Sequence, residues 1–212
     1  NDFFIRRFRD GKRSFPVESN RMGAFAEARY FGFSSLDNSA SLPVKGLALS
    51  AHDLLGATPF KERFAGGPCL LARLCPVDYH RFHFPDSGTC THFSVEHGKL
   101  HSVNPAALRR KPNLFLTNER HISLLQTAHF GLLAYVEVGA LCVGKIVQTH
   151  PQQQPFQRGE EKGYFLFGGS TVIVYGEPGA WEPEADLLEN TRLGREVLVE
   201  LGQPVARTSG KS

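Results

Sequence analysis

Residues 163–175 read Gly163-Tyr164-Phe165-Leu166-Phe167-Gly168-Gly169-Ser170-Thr171-Val172-Ile173-Val174-Tyr175, and this stretch decides the fold. A strand-like run of aromatic and β-branched residues is interrupted by two glycines and two hydroxyl side chains. The glycine pair allows backbone angles closed to other residues, and it leaves the Gly169 carbonyl open to the hydroxyl of Ser170. The pattern is typical of a β-bulge or a hairpin tip, and its geometry also suits attack of the chain on its own backbone.

Length and charge narrow the class of protein. The 212 residues, 41% of them hydrophobic, can bury one good core, so we expect a single domain over residues 1–212. A net charge of +3 is too mild for a dedicated nucleic-acid binder but is compatible with an anionic membrane surface. The four cysteines show no Cys-x-x-Cys spacing, which predicts neither a zinc ribbon nor a disulfide scaffold and favours a reducing, cytosolic setting.

The sequence contains no apolar run of the roughly 18 to 20 residues that a membrane-spanning helix needs. No signal-peptide pattern opens it either. We therefore expect neither a transmembrane segment nor visible export. Because the sequence opens at Asn1 and not at a methionine, the presence of a targeting or membrane arm upstream is left as an open alternative.

A nearly continuous apolar run over residues 132–147 carries the strongest strand signal. Gly139 and Gly144 punctuate this run, as expected where strands bend tightly and pack on both faces. We expect an α+β fold that is predominantly β, with a bent antiparallel or barrel-like core and short peripheral helices. The last residues, 206–212, are expected to be frayed.

The densest chemical cluster lies in residues 76–85, Pro-Val-Asp-Tyr-His-Arg-Phe-His-Phe-Pro. In an extended segment Asp78, His80 and Phe82 share one face and His83 lies on the other, whereas in a helical turn the two histidines share a face. The histidines can thus serve one site or two, or be satisfied structural residues. A metal site would need further ligands, and no second paired motif supports one.

The first nine residues combine three phenylalanines, an isoleucine and three arginines. This composition suits a short amphipathic segment that lies on a lipid interface. A docking helix, or an arm whose aromatic side packs on the body of the protein, fits the pattern equally well.

Taken together, these segments resemble the phosphatidylserine decarboxylase family, and the likeness covers most of the chain. Residues 163–175 resemble the family's processing site, where a Gly-Ser bond within LGST- or GGST-like motifs is cut autocatalytically, and residues 78–85 resemble its long DYHR-H-P signature. Shorter likenesses, to motifs written NEFF-R-R, G-L-SVN, NER and VGA--VG-I, lie at residues 1–9, 98–104, 118–120 and 138–146.

The resemblance implies roles for the site residues. Ser170 becomes the nucleophile that attacks the Gly169 carbonyl, and His83 becomes the base that takes its proton. His80 is implied in substrate positioning or proton transfer, and Tyr79 and Arg81 join it in substrate binding.

Residues 26–29, Ala-Glu-Ala-Arg, align with the family's Pro-Ala-Asp motif and make Glu27 the acid that supports the catalytic histidine. The chain departs from this motif twice, with Phe25 in place of proline and Glu27 in place of aspartate. Glutamate keeps the charge and lengthens the side chain by one methylene, so it can still orient an imidazole from a backbone set further back. Without the resemblance, Glu27 would be an exposed glutamate at a strand start.

By the same resemblance, cleavage between Gly169 and Ser170 gives a β chain, 1–169, and an α chain, 170–212. Ser170 becomes a covalent pyruvoyl group, with no metal expected, and the enzyme converts phosphatidylserine to phosphatidylethanolamine and CO2. The alternatives are a soluble, aromatic amino acid as substrate, or an unprocessed, non-catalytic lipid-binding relative. The expected partners are an anionic membrane surface on its cytoplasmic side, the cleaved fragment and a second copy in a homodimer, with no nucleic acid.

Overall fold

A computed structural model provides the structure, and it describes residues 3–36, 41–42, 47–48, 54–56, 60–98, 118–139, 145–166 and 170–210. The strands of the amino-terminal half are β1 (Arg21–Gly23), β2 (Ala28–Phe33), β3 (Ser41–Leu42), β4 (Leu47–Ala48), β5 (Cys69–Leu74), β6 (Arg81–His83) and β7 (Gly88–Glu96). Those of the carboxyl-terminal half are β8 (Arg120–Thr127), β9 (Leu132–Val138), β10 (Lys145–Gln148), β11 (Glu161–Leu166), β12 (Ser170–Gly176), β13 (Trp181–Pro183), β14 (Val197–Val199) and β15 (Pro204–Thr208). A 3₁₀ turn spans Lys61–Phe64, and helix α1 spans Ala185–Arg192.

A seven-stranded antiparallel sheet forms the centre of the molecule, in the order β14-β2-β5-β12-β9-β8-β7. Strand β12 lies in its middle, and all seven of its residues are buried. Such a strand is covered on both faces, which is why its sequence is a continuous apolar run and not an alternating one. The prediction of a predominantly β, antiparallel fold is confirmed.

The run that contains the Gly-Gly-Ser-Thr turn is divided between two sheets. Its first half is β11, which lies between β10 and β6 in a three-stranded antiparallel sheet. Its second half is β12 of the large sheet. The connection, residues 167–169, lies outside the described residues, and with it lies Gly169 of the predicted cleavage site. The predicted interruption therefore marks the point where the chain passes from one sheet to the other.

A second three-stranded sheet has the order β1-β15-β13. Its central strand, β15, contains residues 206–208, so the expectation that this end of the chain is frayed is wrong for them. The last two residues, Lys211 and Ser212, lie outside the described residues. Strand β15 is ordered because its two partners, β1 and β13, satisfy its backbone on both sides.

Helix α1 packs on β2 and closes the core on that side. Leu187 is buried, and the Thr191 hydroxyl accepts a hydrogen bond from the Gly32 backbone N–H at 2.9 Å. Next to it, the buried Trp181 ring lies against Gly176, where a β-carbon would come within 2.0 Å of the indole nitrogen. Only glycine fits there, because the end of β12 and the indole occupy the same space. Within the described residues, no helix is long and apolar enough to cross a membrane.

The N-terminal arm, residues 3–15, contains a turn but no strand or helix longer than one turn. It lies across the segment that leads into β6. The aromatic ring of Phe4 contacts His80, with 5.3 Å between centroids, and Phe8 contacts Tyr79 at 4.5 Å. Three alternatives were open for residues 1–9. In the described part of this segment, the structure agrees with the arm that packs aromatic side chains on the body of the protein.

Candidate active site

Strand pairing sets the position of Ser170 at the start of β12. Ser170 is opposite Leu74 of β5, and the next residue, Thr171, is opposite Val138 of β9. The Ser170 side chain is fully buried, and its hydroxyl has no hydrogen-bond partner among the described residues. A buried hydroxyl without a partner is costly, so its presence at this turn needs an explanation other than stability.

The histidine segment begins directly after β5, beside the strand that pairs with Ser170. Asp78 closes the turn, since its carboxylate accepts hydrogen bonds from the Cys75 backbone N–H and from Arg29, both at 2.6 Å. The chain then runs as β6, in which Arg81 and His83 lie on one face and Phe82 on the other. The extended alternative is thus the correct one for this part of the segment.

His80 is a fully buried imidazole. Neither ring nitrogen makes a hydrogen bond of acceptable geometry within the described residues. Burial lowers the pKa of His80, while the Pro76 backbone, the Asp78 carboxylate and the Cys75 backbone oppose this effect. The neutral imidazole is therefore the favoured form of His80.

His83 is held at both ring nitrogens. Nδ1 lies 2.9 Å from the Gly159 carbonyl oxygen, and Nε2 lies 3.1 Å from the Tyr79 hydroxyl. Because a carbonyl only accepts, Nδ1 must carry the proton of the neutral ring, and Nε2 accepts from Tyr79. Burial lowers the pKa of His83, so the neutral ring with its basic Nε2 is the favoured form.

Gly159 presents its carbonyl in a backbone conformation with φ of +81°. A β-carbon at this position would also lie 2.7 Å from the Phe15 ring of the N-terminal arm. Both features require glycine, and Phe15 in turn contacts the His83 ring at 6.3 Å between centroids. The carbonyl that fixes the tautomer of His83 is therefore built into a turn that the arm covers.

The predicted contact between Glu27 and His83 is wrong. The Glu27 carboxylate accepts two hydrogen bonds from Arg13, at 2.7 and 3.0 Å, and one from the Leu201 backbone N–H at 3.2 Å. The physical reason is that a guanidinium fork satisfies a carboxylate better than one imidazole does, and Arg13 lies within reach. The position assigned to an orienting acid is filled by the Gly159 carbonyl.

Arg81, predicted as a substrate ligand, is 6% exposed and engaged by the protein on all sides. Its guanidinium donates to the Ile5 carbonyl at 2.6 and 2.9 Å and to Glu161 at 2.7 Å, and it lies over the Tyr164 ring. These contacts fasten the N-terminal arm to β6 and β11.

A buried charge pair lies close to this site and carries no signal in the motifs. Lys162 of β11 donates to Glu137 of β9 at 2.5 Å and to Gln148 of β10 at 2.8 Å, and both charged side chains are at least 95% buried. Glu137 is opposite Val172, so it shares a sheet face with Ser170 two residues away. Burial raises the pKa of Glu137, against the effect of Lys162. In the sequence, this pair shows only as two charged residues within strand-like segments.

The described residues contain no group of three or more His, Cys, Asp or Glu side chains that could hold a metal ion.

Comparison with known proteins points to one family. The family model described as phosphatidylserine decarboxylase matches residues 1–206. A phosphatidylserine decarboxylase proenzyme of Clostridium tetani is 41% identical over 207 residues, which cover 98% of this chain and 70% of that protein. Proteins with the same description from Clostridium novyi and Desulfitobacterium hafniense are 42% and 39% identical over 205 residues, covering 97% of this chain and 70% and 69% of theirs.

Proposed function

The chain belongs to the phosphatidylserine decarboxylase family and is a carboxy-lyase, and we propose that it makes its own reactive group by self-cleavage between Gly169 and Ser170. Its reaction converts phosphatidylserine to phosphatidylethanolamine and CO2. The likeness over nearly the whole chain does not favour a soluble amino acid as substrate or a non-catalytic relative.

The observation that carries the proposal is the environment of Ser170. Its hydroxyl is fully buried and has no hydrogen-bond partner within the described part of the chain, and it lies at the first residue of the central strand, beside the turn that leads to the two histidines. In the proposed step, Ser170 Oγ attacks the Gly169 carbonyl carbon while His83 takes the proton at Nε2, and the peptide becomes an ester. The Tyr79 O–H bond, which is directed at Nε2 in the structure, has to rotate away first while the ring stays in place.

Elimination at Ser170 then breaks the ester and releases residues 1–169 with a carboxylate end. The dehydroalanine that remains at position 170 takes up water and loses ammonia to become a pyruvoyl group. When present, this group draws electrons from the bond between the substrate's α-carbon and its carboxylate. The buried, partner-free Ser170 position fits a group that must be shielded from water, and His80 is proposed to hold or move the proton that the α-carbon needs.

A lipid substrate requires contact with a bilayer, and the arm is proposed to provide it. Phe3 is 56% exposed, whereas Phe4 and Phe8 pack on His80 and Tyr79. The exposed Arg7 lies on the same segment and suits anionic head groups. Phe3 is thus the residue of this segment proposed to enter the interface, as part of a peripheral association at the cytoplasmic side of a membrane.

The intact mass of the freshly purified protein tests self-cleavage. We expect two fragments from the parent, with the smaller one blocked at its amino end by a pyruvoyl group. Ser170→Ala and His83→Ala should each give a single chain, because one lacks the nucleophile and the other the base. A parent that stays whole on long incubation, or a His83→Ala variant that is cut at the parent's rate, would refute the proposed mechanism.

A further inference from the structure

We infer that Glu27 positions His83 through the N-terminal arm and does not touch the imidazole. The inference rests on the proposed role of His83 as the base of self-cleavage. It assigns Glu27, Arg13, Phe8 and Tyr79 as positioning residues that act in series on His83.

The first link joins Glu27 to Arg13. The guanidinium Nε and Nη2 of Arg13 meet the two carboxylate oxygens of Glu27 at 2.7 and 3.0 Å, a bidentate pair. This hydrogen bonding raises the pKa of Arg13 above its ordinary value. Glu200 approaches the same guanidinium only at 3.5 Å and is 56% exposed. Glu27 is therefore the residue that fixes Arg13, because a two-point, partly buried pair constrains orientation as well as distance.

The second link runs from Arg13 to Tyr79. The Arg13 guanidinium carbon lies 4.4 Å from the centroid of the Phe8 ring, which is a cation–π contact. Phe8 also contacts Tyr79, whose ring centroid lies 4.5 Å away. A displacement of Arg13 therefore removes the group that holds Phe8 against Tyr79.

The third link joins Tyr79 to His83. The two rings stack with 5.9 Å between centroids and 23° between planes, and the tyrosine hydroxyl donates to Nε2 at 3.1 Å. The Gly159 carbonyl accepts from Nδ1 on the other side. Stacking sets the plane of the imidazole and the two hydrogen bonds set its rotation, so a shift of Tyr79 disorders the base.

The direction in which the pKa of His83 changes can test the inference, because the two possible roles of Glu27 predict opposite changes. Arg7 and Arg81 lower the pKa of His83 and Glu161 raises it, but burial is the largest effect. If Glu27 touched the imidazole, Glu27→Gln would remove a neighbouring negative charge and lower the pKa of His83. If Glu27 acts through the arm, the same substitution loosens the arm, admits water and raises that pKa.

The experiment is an NMR titration of the His83 ring in the uncut Ser170→Ala chain, with the signal assigned by comparison with Ser170→Ala/His83→Ala. We expect Glu27→Gln to raise the pKa of His83, Arg13→Gln to raise it too, and the double variant to match Glu27→Gln. Glu200→Gln is the matched control and should leave the pKa unchanged. A lower pKa in Glu27→Gln would overturn the inference.

Self-cleavage rates in the otherwise unchanged chain give the second readout. Glu27→Gln and Arg13→Gln should each slow cleavage by about tenfold, and the double variant should be no slower than either single one, because both break one chain of contacts. A double variant slowed by the product of the two single effects would show that Glu27 and Arg13 act separately. That result would also overturn the inference.

Substitutions of Tyr79 separate the ring from the hydroxyl. Tyr79→Leu loses the stacking and should slow cleavage by about tenfold at every pH. Tyr79→Phe keeps the ring but loses the donor that favours neutral His83, so the acid limb of the pH–rate profile should move to higher pH while the plateau stays within about threefold. Tyr164→Phe is the control and should leave the profile unchanged. A Tyr79→Phe profile identical to the parent's would count against the link.

Failure of the inference and failure of the proposed function give different results. An uncut parent would refute self-processing, and the titration of His83, which needs no cleavage, would still decide how Glu27 acts. The other case is a parent that is cut, a Glu27→Gln variant that is cut slowly and an Arg13→Gln variant that is cut at the parent's rate. This result would support self-processing and refute the role of the arm in positioning His83.

Discussion

Lys162 and Glu137 place opposite charges in the interior, between the large sheet and the sheet of β6, β10 and β11. The ammonium group also lies near the Tyr135 and Phe82 rings, at 5.1 and 5.7 Å from their centroids. One carboxylate oxygen of Glu137 has no partner among the described residues. Such a pair is weak evidence for net stability, but removal of one member leaves an uncompensated buried charge.

Replacement of one member of this pair should therefore cost much more than replacement of both. We expect Glu137→Leu or Lys162→Met alone to lower the free energy of unfolding by about 3–5 kcal/mol, and the double variant to lose clearly less than either. Chemical denaturation of the uncut Ser170→Ala chain measures this without interference from cleavage. Glu189→Leu, which breaks the exposed pair with Arg192, is the control and should change little. Single variants as stable as the parent would contradict the pairing.

At the scale of single residues, the local sequence pattern pointed to the side chains of the proposed chemistry, but it did not predict which residues contact one another. Ser170 and the two histidines could be found because glycines next to a hydroxyl, and paired imidazoles, are unusual within a short stretch. The partner of Glu27 could not, because Arg13 is one of many arginines in the sequence and its position depends on the whole arm. The Lys162–Glu137 pair joins residues on two sheets, and no pattern within either strand specifies the other.

At the scale of elements, β12 is the strand around which the sheets are assembled. It pairs with β5 over residues 170–175 and with β9 over residues 171–176. The proposed cleavage lies at its first residue, so cutting the chain removes the connection to β11 but none of these backbone pairs. Farther along, β14 pairs with β2 and β15 with β1. The segment 170–212 thus contributes strands to two sheets whose other strands belong to 1–169.

Because of this pairing, the two fragments should stay together after cleavage. We expect them to co-elute in size-exclusion chromatography in native buffer, at the volume of the uncut Ser170→Ala chain, and to separate only in denaturant. Dissociation would expose the buried β12 to water, together with the edges of its partners β5 and β9 and those of β2 and β1, which is strongly unfavourable. A smaller fragment that elutes separately in native buffer would contradict this arrangement.

Strands β5, β9 and β12 of the central sheet could be predicted because each is a largely apolar run that is buried along nearly all of its length. The end of the chain could not. Strand β15 reads Pro-Val-Ala-Arg-Thr, which is short and mixed, and its order comes from β1, more than 180 residues earlier. Short strands of this kind depend on tertiary partners and not on their own propensity.

At the scale of the whole molecule, the arm links the site to the expected membrane surface. The exposed apolar side chain of its described residues is Phe3, which contacts the Arg6 guanidinium at 4.4 Å. Arg6 in turn donates to the backbone carbonyl of Val77 at 2.9 Å. Val77 is 66% exposed and lies three residues before His80. An apolar surface next to the proposed catalytic segment is the arrangement that an enzyme needs when its substrate stays in a bilayer.

Vesicle binding tests this arrangement one residue at a time. We expect Phe3→Ser to weaken binding to phosphatidylserine-containing vesicles by about tenfold, since the lost side chain would bury apolar surface in the interface. Self-cleavage should proceed at the parent's rate, because Phe3 does not contact the histidines. Phe60→Ser is the matched control, because Phe60 is also an exposed phenylalanine, at 42%. It precedes β5 in the sequence, whereas Ser170 pairs with the last residue of β5. Equal binding of both variants and the parent would mean that the bilayer is met by another surface.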